Sequence, residues 1–260
     1  MKDLLDDVIK IAREAGKAII EIYNSDEFEV ENKDDKGYIS PLTQADKASH
    51  EVIQAGLSNI SEYPIISEEG AQDFQTADKF WLVDPMDGTK EFISRNGEFT
   101  VNIALVENGQ PVLGVVYAPA LNTLYASADG KAFKIDSRDN KTELKPDPSK
   151  RDTPKIVVSR NHKGEQLAEI LSQFGPHEET DVGSSLKFCY LAEGKAQAYP
   201  RFVPTYLWDT AAADAVLRAT GGQIRSLDGN NLVYEPGENI KNPFFIATAS
   251  GQEYLFDKFV

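Results

Sequence analysis

The sequence predicts an α/β (α+β) fold, a layered sandwich of helices and sheets, on three observations. Residues 2–24 set Leu5, Val8, Ile9, Ala12, Ala15, Ile19, Ile22 and Tyr23 along one face of a long helix. Residues 99–135 hold β-rich runs folded about Asn108-Gly109 and Asp129-Gly130, dipeptides that favour tight hairpins. Beyond residue 155, strand-like and helix-like stretches alternate, the pattern of an α/β half.

The elements follow in order. The first helix is read as packing. Residues 26–37 (DEFEVENKDDKG) are charged and irregular, a strand edge or a mobile loop. A Pro-bounded entry at 40–46 opens a second amphipathic helix through Ala48, Val52, Leu57 and Ile60. Residues 63–70 (YPIISEEG) predict a short strand ending in acids, and residues 80–85 (FWLVDP) a strand that Pro85 cuts off. The runs 99–119 and 122–135 are the two hairpins. Residues 136–154 are polar, charged and Pro-containing. They mark a boundary between an N-terminal α+β half, 1–145, with an antiparallel sheet, and a C-terminal α/β half, 152–260. The second half reads strand 155–160, helix 164–174, helix 184–193, strand 196–201, helix 208–220 and a strand from Gln223.

Composition limits the function. With 260 residues the chain has length enough for a full core. Its 27 Lys+Arg against 42 Asp+Glu give a net charge of −15, which repels nucleic acid and anionic membranes, so no nucleic-acid partner is expected. An acidic protein that handles phosphates must supply its own positive charge, as clustered Lys/Arg or as metal. The single cysteine, Cys189, excludes an internal disulfide framework, and its apolar surroundings (SLKFCYLAEG) read as a small buried side chain rather than a nucleophile. No apolar run reaches the roughly 18–20 residues of a membrane span. The acidic, amphipathic MKDLLDDVIK is unlike a signal peptide, and the reading is cytoplasmic.

Chemistry concentrates at Asp84-Pro85-Met86-Asp87-Gly88-Thr89. Proline fixes φ, so the two aspartates are expected to converge across a tight turn. Neighbouring carboxylates are costly unless a cation lies between them or one is protonated, and hard oxygen donors suit Mg²⁺. The residues Thr89-Lys90-Glu91-Phe92-Ile93 could open a short helix whose N–H groups, approached past Gly88, receive a phosphate. The same stretch also reads as an Asp-rich turn with nothing bound. Three further acidic sites lie at element ends: Ser67-Glu68-Glu69-Gly70, Trp208-Asp209 and Thr43-Gln44-Ala45-Asp46. Each taken alone is a solvated turn or a helix cap. Together, four acids at the ends of separate elements are what a multi-metal phosphatase needs.

TQAD, SEEG, WLVDPMDGTKEF and WDTAAADAV resemble, in order and spacing, the four signatures of the inositol monophosphatase-like family of magnesium-dependent, lithium-sensitive phosphatases. The run DGTKEFISRNGEFTVNIALVENGQPVLGVVYAP, with VVSRNH, GSSLKFC and AYPRF, is similar to the family's bacterial CysQ-type 3′(2′),5′-bisphosphate nucleotidases. The resemblance runs from the first helix to about residue 245. It departs at Ala213, where the family's WDxAAG has glycine, a change that bears on helix packing more than on metal ligation.

The resemblance implies an alternating α-β-α-β-α sandwich. It also implies metal ligands at Glu68, Asp84 and Asp87, joined by Asp209 and the Met86 carbonyl, holding two or three Mg²⁺ ions per active site. Thr89 and Asp46 resemble the catalytic pair that orients and deprotonates the attacking water, and the Gly88 and Thr89 amides the cradle of the scissile phosphate. His162, Ser184, Lys187 and Arg201 lie in segments similar to the nucleotide site, where a second phosphate needs cations such as Lys187 and Arg201. The residues themselves leave these basic groups open to a solvated role. Ser184 and Ser185 are expected to offer free hydroxyls, and Tyr199 and Phe202 flank Arg201, where core packing is favoured over stacking on a base. The implied activity removes the 3′-phosphate of adenosine 3′,5′-bisphosphate, with 3′-phosphoadenylyl sulfate as a second substrate and lithium as an inhibitor. Its role would be to clear the by-product of sulfate activation. An inositol or sugar phosphate monophosphatase, which needs the acids but not Lys187 and Arg201, and a non-catalytic protein-interaction role stay open as alternatives. Peripheral association with the inner membrane is allowed, and no oligomeric state is set.

Overall fold

The computed structural model of the chain describes residues 1–25, 30–35, 38–70, 77–160, 165–235, 237 and 240–260. Helix α1 (Lys2–Tyr23) buries Leu5, Val8, Ile9, Ala12, Ala15 and Ile19, the stripe its spacing requires. A two-stranded antiparallel ribbon, β1 (Val30–Asp35) and β2 (Tyr38–Thr43), leads directly into α2 (Gln44–Ile60). Residues 26–29 and 36–37 of the predicted irregular stretch lie outside the described residues. Strand β3 (Ile65–Ser67) pairs in parallel with β4 (Lys79–Asp87), and the short helix α3 (Thr89–Ile93) follows.

Strands β5 (Thr100–Glu107), β6 (Gln110–Ala118), β7 (Thr123–Ala128), β8 (Lys131–Ile135) and β9 (Lys141–Glu143) continue as a meander, giving a seven-stranded sheet in the order β3 to β9. Both predicted hairpin turns form. Asn108 (φ 51°) and Gly109 (φ 72°), then Asp129 (φ 52°) and Gly130 (φ 71°), are left-handed in pairs, which matches the twist of the flanking strands.

The second half contains β10 (Lys155–Ser159), α4 (Glu165–Gln173), β11 (Glu178–Val182), α5 (Leu186–Ala192), β12 (Ala198–Arg201), α6 (Leu207–Ala219), β13 (Gln223–Ser226) and β14 (Phe245–Thr248), closed by a 3₁₀ turn at Glu253–Lys258. Its sheet runs β11-β10-β12-β14-β13. The first three strands are mutually parallel, and β14 is antiparallel to both of its neighbours. The alternation expected from the sequence is therefore interrupted by a late strand that inserts between β12 and β13.

Three apolar clusters separate five layers. Under α1 and α2 lie Trp81, Val83, Val101 and Ile103, from one face of the large sheet. Phe80, Leu82, Ala104 and Val106, from its other face, meet Phe188 of α5, Ala211, Ala212 and Val216 of α6, and Phe245 of the small sheet. Ile156 and Val158 then pack outward on Leu167 and Leu171 of α4 and on Phe256 of the 3₁₀ turn. The order is the α-β-α-β-α sandwich that the resemblance implies. Because both faces of β4 and β5 are covered, these strands read as continuous apolar runs.

Candidate active site

Asp84 and Asp87 are three residues apart, and a regular strand would aim them at opposite faces. In the ladder Asp84 stands opposite Asn102 and Asp87 opposite Thr100, so three steps along β4 match two along β5. The extra residue makes a β-bulge at Pro85-Met86, which brings Asp87 onto the face that carries Asp84. Pro85 thus does not end the strand, as the sequence suggested. A bulge is a place where a missing ladder N–H costs little, and pairing resumes beyond it. Asp84 Oδ1 accepts the Met86 N–H at 3.0 Å, and the Met86 side chain turns away into the cluster beneath α1 and α2. Gly88 (φ 93°) then starts α3. Its left-handed backbone selects glycine, and a Cβ there would lie 3.2 Å from Ser184 Cβ.

Asp46 and Asp209 reach the site by a shared device. Each is the third residue of its helix and folds back on the helix start, rather than being the N-cap itself. Asp46 Oδ2 accepts the Thr43 N–H at 2.8 Å and the Thr43 hydroxyl at 2.7 Å, and Asp209 Oδ2 accepts the Tyr206 N–H at 2.8 Å. One turn along α2, the buried Ser49 hydroxyl donates to the Pro85 carbonyl at 2.7 Å and fixes the helix on the bulge. Glu68 follows β3 with its N–H on the Val83 carbonyl at 3.1 Å, and His50 Nδ1 lies 2.9 Å from Ser67 Oγ beside it.

The acids act on one another. Burial, and then the charges of Glu68, Asp87, Asp209 and Asp46, push Asp84 well above the usual carboxylate range, and no basic group stands among these main influences. Asp209 is raised by burial, Asp87 and Glu68, against the Tyr206 N–H and Arg201. Asp87 is raised to about 6, chiefly by burial, with Lys187 and the Ser185 N–H opposing. Among the described residues no three His, Cys, Asp or Glu side chains are drawn together tightly enough to enclose an ion. The donor set still fits a hard divalent cation: carboxylates from separate elements, Asp84 and Asp46 buried and Glu68, Asp87 and Asp209 half-buried, with Asp84 lacking a basic partner of comparable influence.

On the other side of Asp87 lies the turn from Val182 to Ser185 that leads into α5. Lys187 is 6% exposed, so it is neither solvated nor open. Its ammonium donates to the Ser184 carbonyl, lies 3.5 Å from the Val182 carbonyl and sits 5.5 Å over the Tyr199 ring. Burial pushes Lys187 down to about 8, against the pull of Asp87. Ser184 (φ 46°) and Ser185 are buried, and their hydroxyls meet Thr100 and Asn102 instead of being free, because the turn packs directly on β5. Arg201 is half-buried; Nη2 lies 3.4 Å from the Pro204 carbonyl, and its buried Nε has no hydrogen-bond partner.

Tyr199 packs among Phe188 and Phe245, and Phe202 belongs to the outer cluster, the core roles that were favoured. Cys189 is buried and unpaired by disulfide. His162 lies outside the described residues. Sequence reasoning overlooked Ser49, Thr100, Asn102 and Glu98, which accepts the Gly183 N–H at 2.7 Å and Arg160 at 2.9 Å. The available signal was FTVNIALV: two polar residues at alternate positions of an apolar strand.

The sequence profile described as the inositol monophosphatase family matches residues 2–254. The 3′(2′),5′-bisphosphate nucleotidase CysQ of Escherichia coli strain K12 is 48% identical over 247 residues, covering 93% of this chain and 98% of that protein. CysQ of Buchnera aphidicola is 42% identical over 255 residues, covering 95% and 94%. Among solved structures, CysQ from Bacteroides thetaiotaomicron, described as a bacterial member of the inositol monophosphatase family, superposes with a TM-score of 0.85 at 37% identity over 96% of this chain and 98% of that one. A chain matched along nearly its whole length, with acids gathered at the ends of β3, β4, α2 and α6, belongs to the inositol monophosphatase family.

Proposed function

We propose that the protein is a 3′(2′),5′-bisphosphate nucleotidase that removes the 3′-phosphate of adenosine 3′,5′-bisphosphate, giving AMP and phosphate, with 3′-phosphoadenylyl sulfate as a second substrate. The observation that carries the proposal is that Asp87 stands between two kinds of charge: the acids Asp84, Glu68 and Asp209 on one side, and Lys187 on the other. The relatives named CysQ support the substrate class. Glu68, Asp84, Asp87, Asp209 and the Met86 carbonyl would hold two or three Mg²⁺ ions, which when bound supply Lewis-acid stabilisation of phosphoryl charge and a lowered pKa for water. Thr89 orients the attacking water and Asp46 receives its proton. The Gly88 and Thr89 amides bind the scissile phosphate. Arg201, with its unpartnered Nε, meets the second phosphate, and His162 and Ser184 contact the nucleotide. Lys187 supports this side by its charge.

One observation favours the monophosphatase alternative: the Lys187 ammonium is already occupied by carbonyls. Phosphate release from adenosine 3′,5′-bisphosphate, 3′-phosphoadenylyl sulfate and inositol 1-phosphate, with and without Mg²⁺ and Li⁺, separates the two readings. The nucleotides should be the better substrates, dependent on Mg²⁺ and inhibited by Li⁺. Arg201→Ala should cost about 10- to 100-fold on the bisphosphate and little on inositol 1-phosphate, the loss of a charged hydrogen bond. Equal losses on both, or inositol 1-phosphate as the best substrate, would overturn the assignment. Unchanged Mg²⁺-dependent turnover in Asp84→Asn would remove the proposed site.

A further inference from the structure

The residues opposite the two aspartates of β4 are themselves polar and fully buried. Thr100 pairs with Asp87 and Asn102 with Asp84, and both are within 1% of complete burial in a strand whose remaining buried residues are apolar. Alternation puts them on the face that carries Ala104 and Val106, towards α5 and the small sheet. There they close a ring with Ser185. The Ser185 hydroxyl donates to Asn102 Oδ1 at 2.6 Å, and Asn102 Nδ2 donates to Thr100 Oγ1 at 3.3 Å. Thr100 Oγ1 lies 2.8 Å from Ser185 Oγ. The Thr100 hydroxyl proton is directed at Ser184 Oγ, 3.2 Å away. These buried contacts tie β5 to the turn in a water-poor interior, where each bond is costly to lose.

The turn so held is short and strained. Ser184 occupies the left-handed region at φ 46°, and its carbonyl receives the Lys187 ammonium. The Ser185 N–H opposes the elevation of the Asp87 carboxylate, and Gly183 is tied separately to Glu98. The ladder thus fixes Thr100 and Asn102 against Asp87 and Asp84, and the ring fixes the turn against Thr100 and Asn102.

We propose that Thr100 and Asn102 are positioning residues, which set the Ser184–Ser185 turn, with Lys187 and the Ser185 N–H, in register with Asp84 and Asp87. They touch no reacting atom in this scheme. Their effect on catalysis rests on the functional reading above, in which the β4 acids do the chemistry and the turn helps to choose a doubly phosphorylated substrate.

Thr100→Val keeps shape and deletes the ring's hydroxyl, and Thr100→Ser restores it. Two measurements on the full-length protein decide the matter. Amide hydrogen exchange over residues 182–187 should quicken about tenfold in Thr100→Val, the expected loss of one buried neutral hydrogen bond, and return towards wild type in Thr100→Ser. In the same variant, kcat/KM for adenosine 3′,5′-bisphosphate relative to 3′-AMP should fall about tenfold and recover with serine. Unchanged exchange overturns the coupling. Quickened exchange with an unchanged ratio, or equal losses on both substrates, reduces the ring to a structural support and overturns the positioning role. If Thr100→Val does not fold, Ser185→Ala opens the ring from its other side and carries the same two expectations. If wild type hydrolyses neither nucleotide, the functional reading fails, and exchange alone still decides whether the ring holds the turn.

Discussion

Replacing Asp87 by asparagine should make the protein more stable in a metal chelator, and the gain should depend on pH. Asp87 titrates near about 6 in the fold against an ordinary 3.8, so the folded state holds its proton more tightly than the unfolded chain does. The sign follows from that order. Asp87 opposes folding little below pH 4, its protonated form being neutral; the penalty grows as pH rises from about 4 to about 6, then levels off. At about 1.4 kcal/mol per pH unit, the full penalty is on the order of 3 kcal/mol. Asparagine keeps the shape without the charge. Urea unfolding in EDTA at pH 4, 5, 6 and 7 should therefore show wild type and Asp87→Asn close together at pH 4 and separated by about 3 kcal/mol in favour of the variant at pH 7. Adding Mg²⁺ should reverse the order, since a ligand that binds only the folded wild type stabilises it by mass action. Parallel stability curves across the pH range would show that Asp87 is not held in a buried acidic cluster.

Three other outcomes test neighbouring parts of the structure. Lys187, pushed down to about 8 from 10.5, opposes folding below pH 8 and is relieved as pH climbs towards 10.5, so wild type should gain about 3 kcal/mol on Lys187→Met over that window in urea unfolding; a flat difference would place the ammonium in solvent. Gly114→Ala would set a Cβ 2.2 Å from the Ala212 carbonyl and 2.7 Å from Ala215 Cβ, forcing α6 off the large sheet. Thermal unfolding should show a loss of about 1–3 kcal/mol or more, with turnover falling as Asp209 moves; wild-type values for both would refute the packing described. Ser49→Ala leaves the buried Pro85 carbonyl without its donor and should cost about 1–3 kcal/mol in denaturant unfolding, with weaker Mg²⁺ binding by titration; no loss in either would free the bulge from α2.

What could be read from the sequence depended on how local its cause was. The hairpins at Asn108-Gly109 and Asp129-Gly130 were legible because two adjacent residues dictate the turn. Helices α1 and α2 were legible because each keeps an apolar stripe. Glu68, Asp84, Asp46 and Asp209 could be singled out because acids at the ends of apolar elements are unusual. Their convergence was not derivable from spacing, and neither was the device that aims Asp46 and Asp209, since a carboxylate at the third helix position resembles any capping acid. Pro85 misled because its usual effect on a ladder was assumed, whereas the partner strand absorbs it in a bulge. β14 carries no period, being buried on both faces, and β11 is a polar edge strand. Lys187 and Ser185 appeared available to a ligand because nothing in their own segment reveals that β5 lies against them.

The bulge at Pro85-Met86 turns the distance between Asp84 and Asp87 into a matter of odd and even. An odd count in a regular strand would divide the two carboxylates between the middle of the sandwich and the packing under α1 and α2; the irregularity restores agreement. Removing one residue while keeping the bulge, or straightening the strand while keeping the count, would send one acid to the wrong side of the sheet. Doing both at once would leave the pair together. The length of this motif and its kink are therefore a single inherited quantity, able to change only in step.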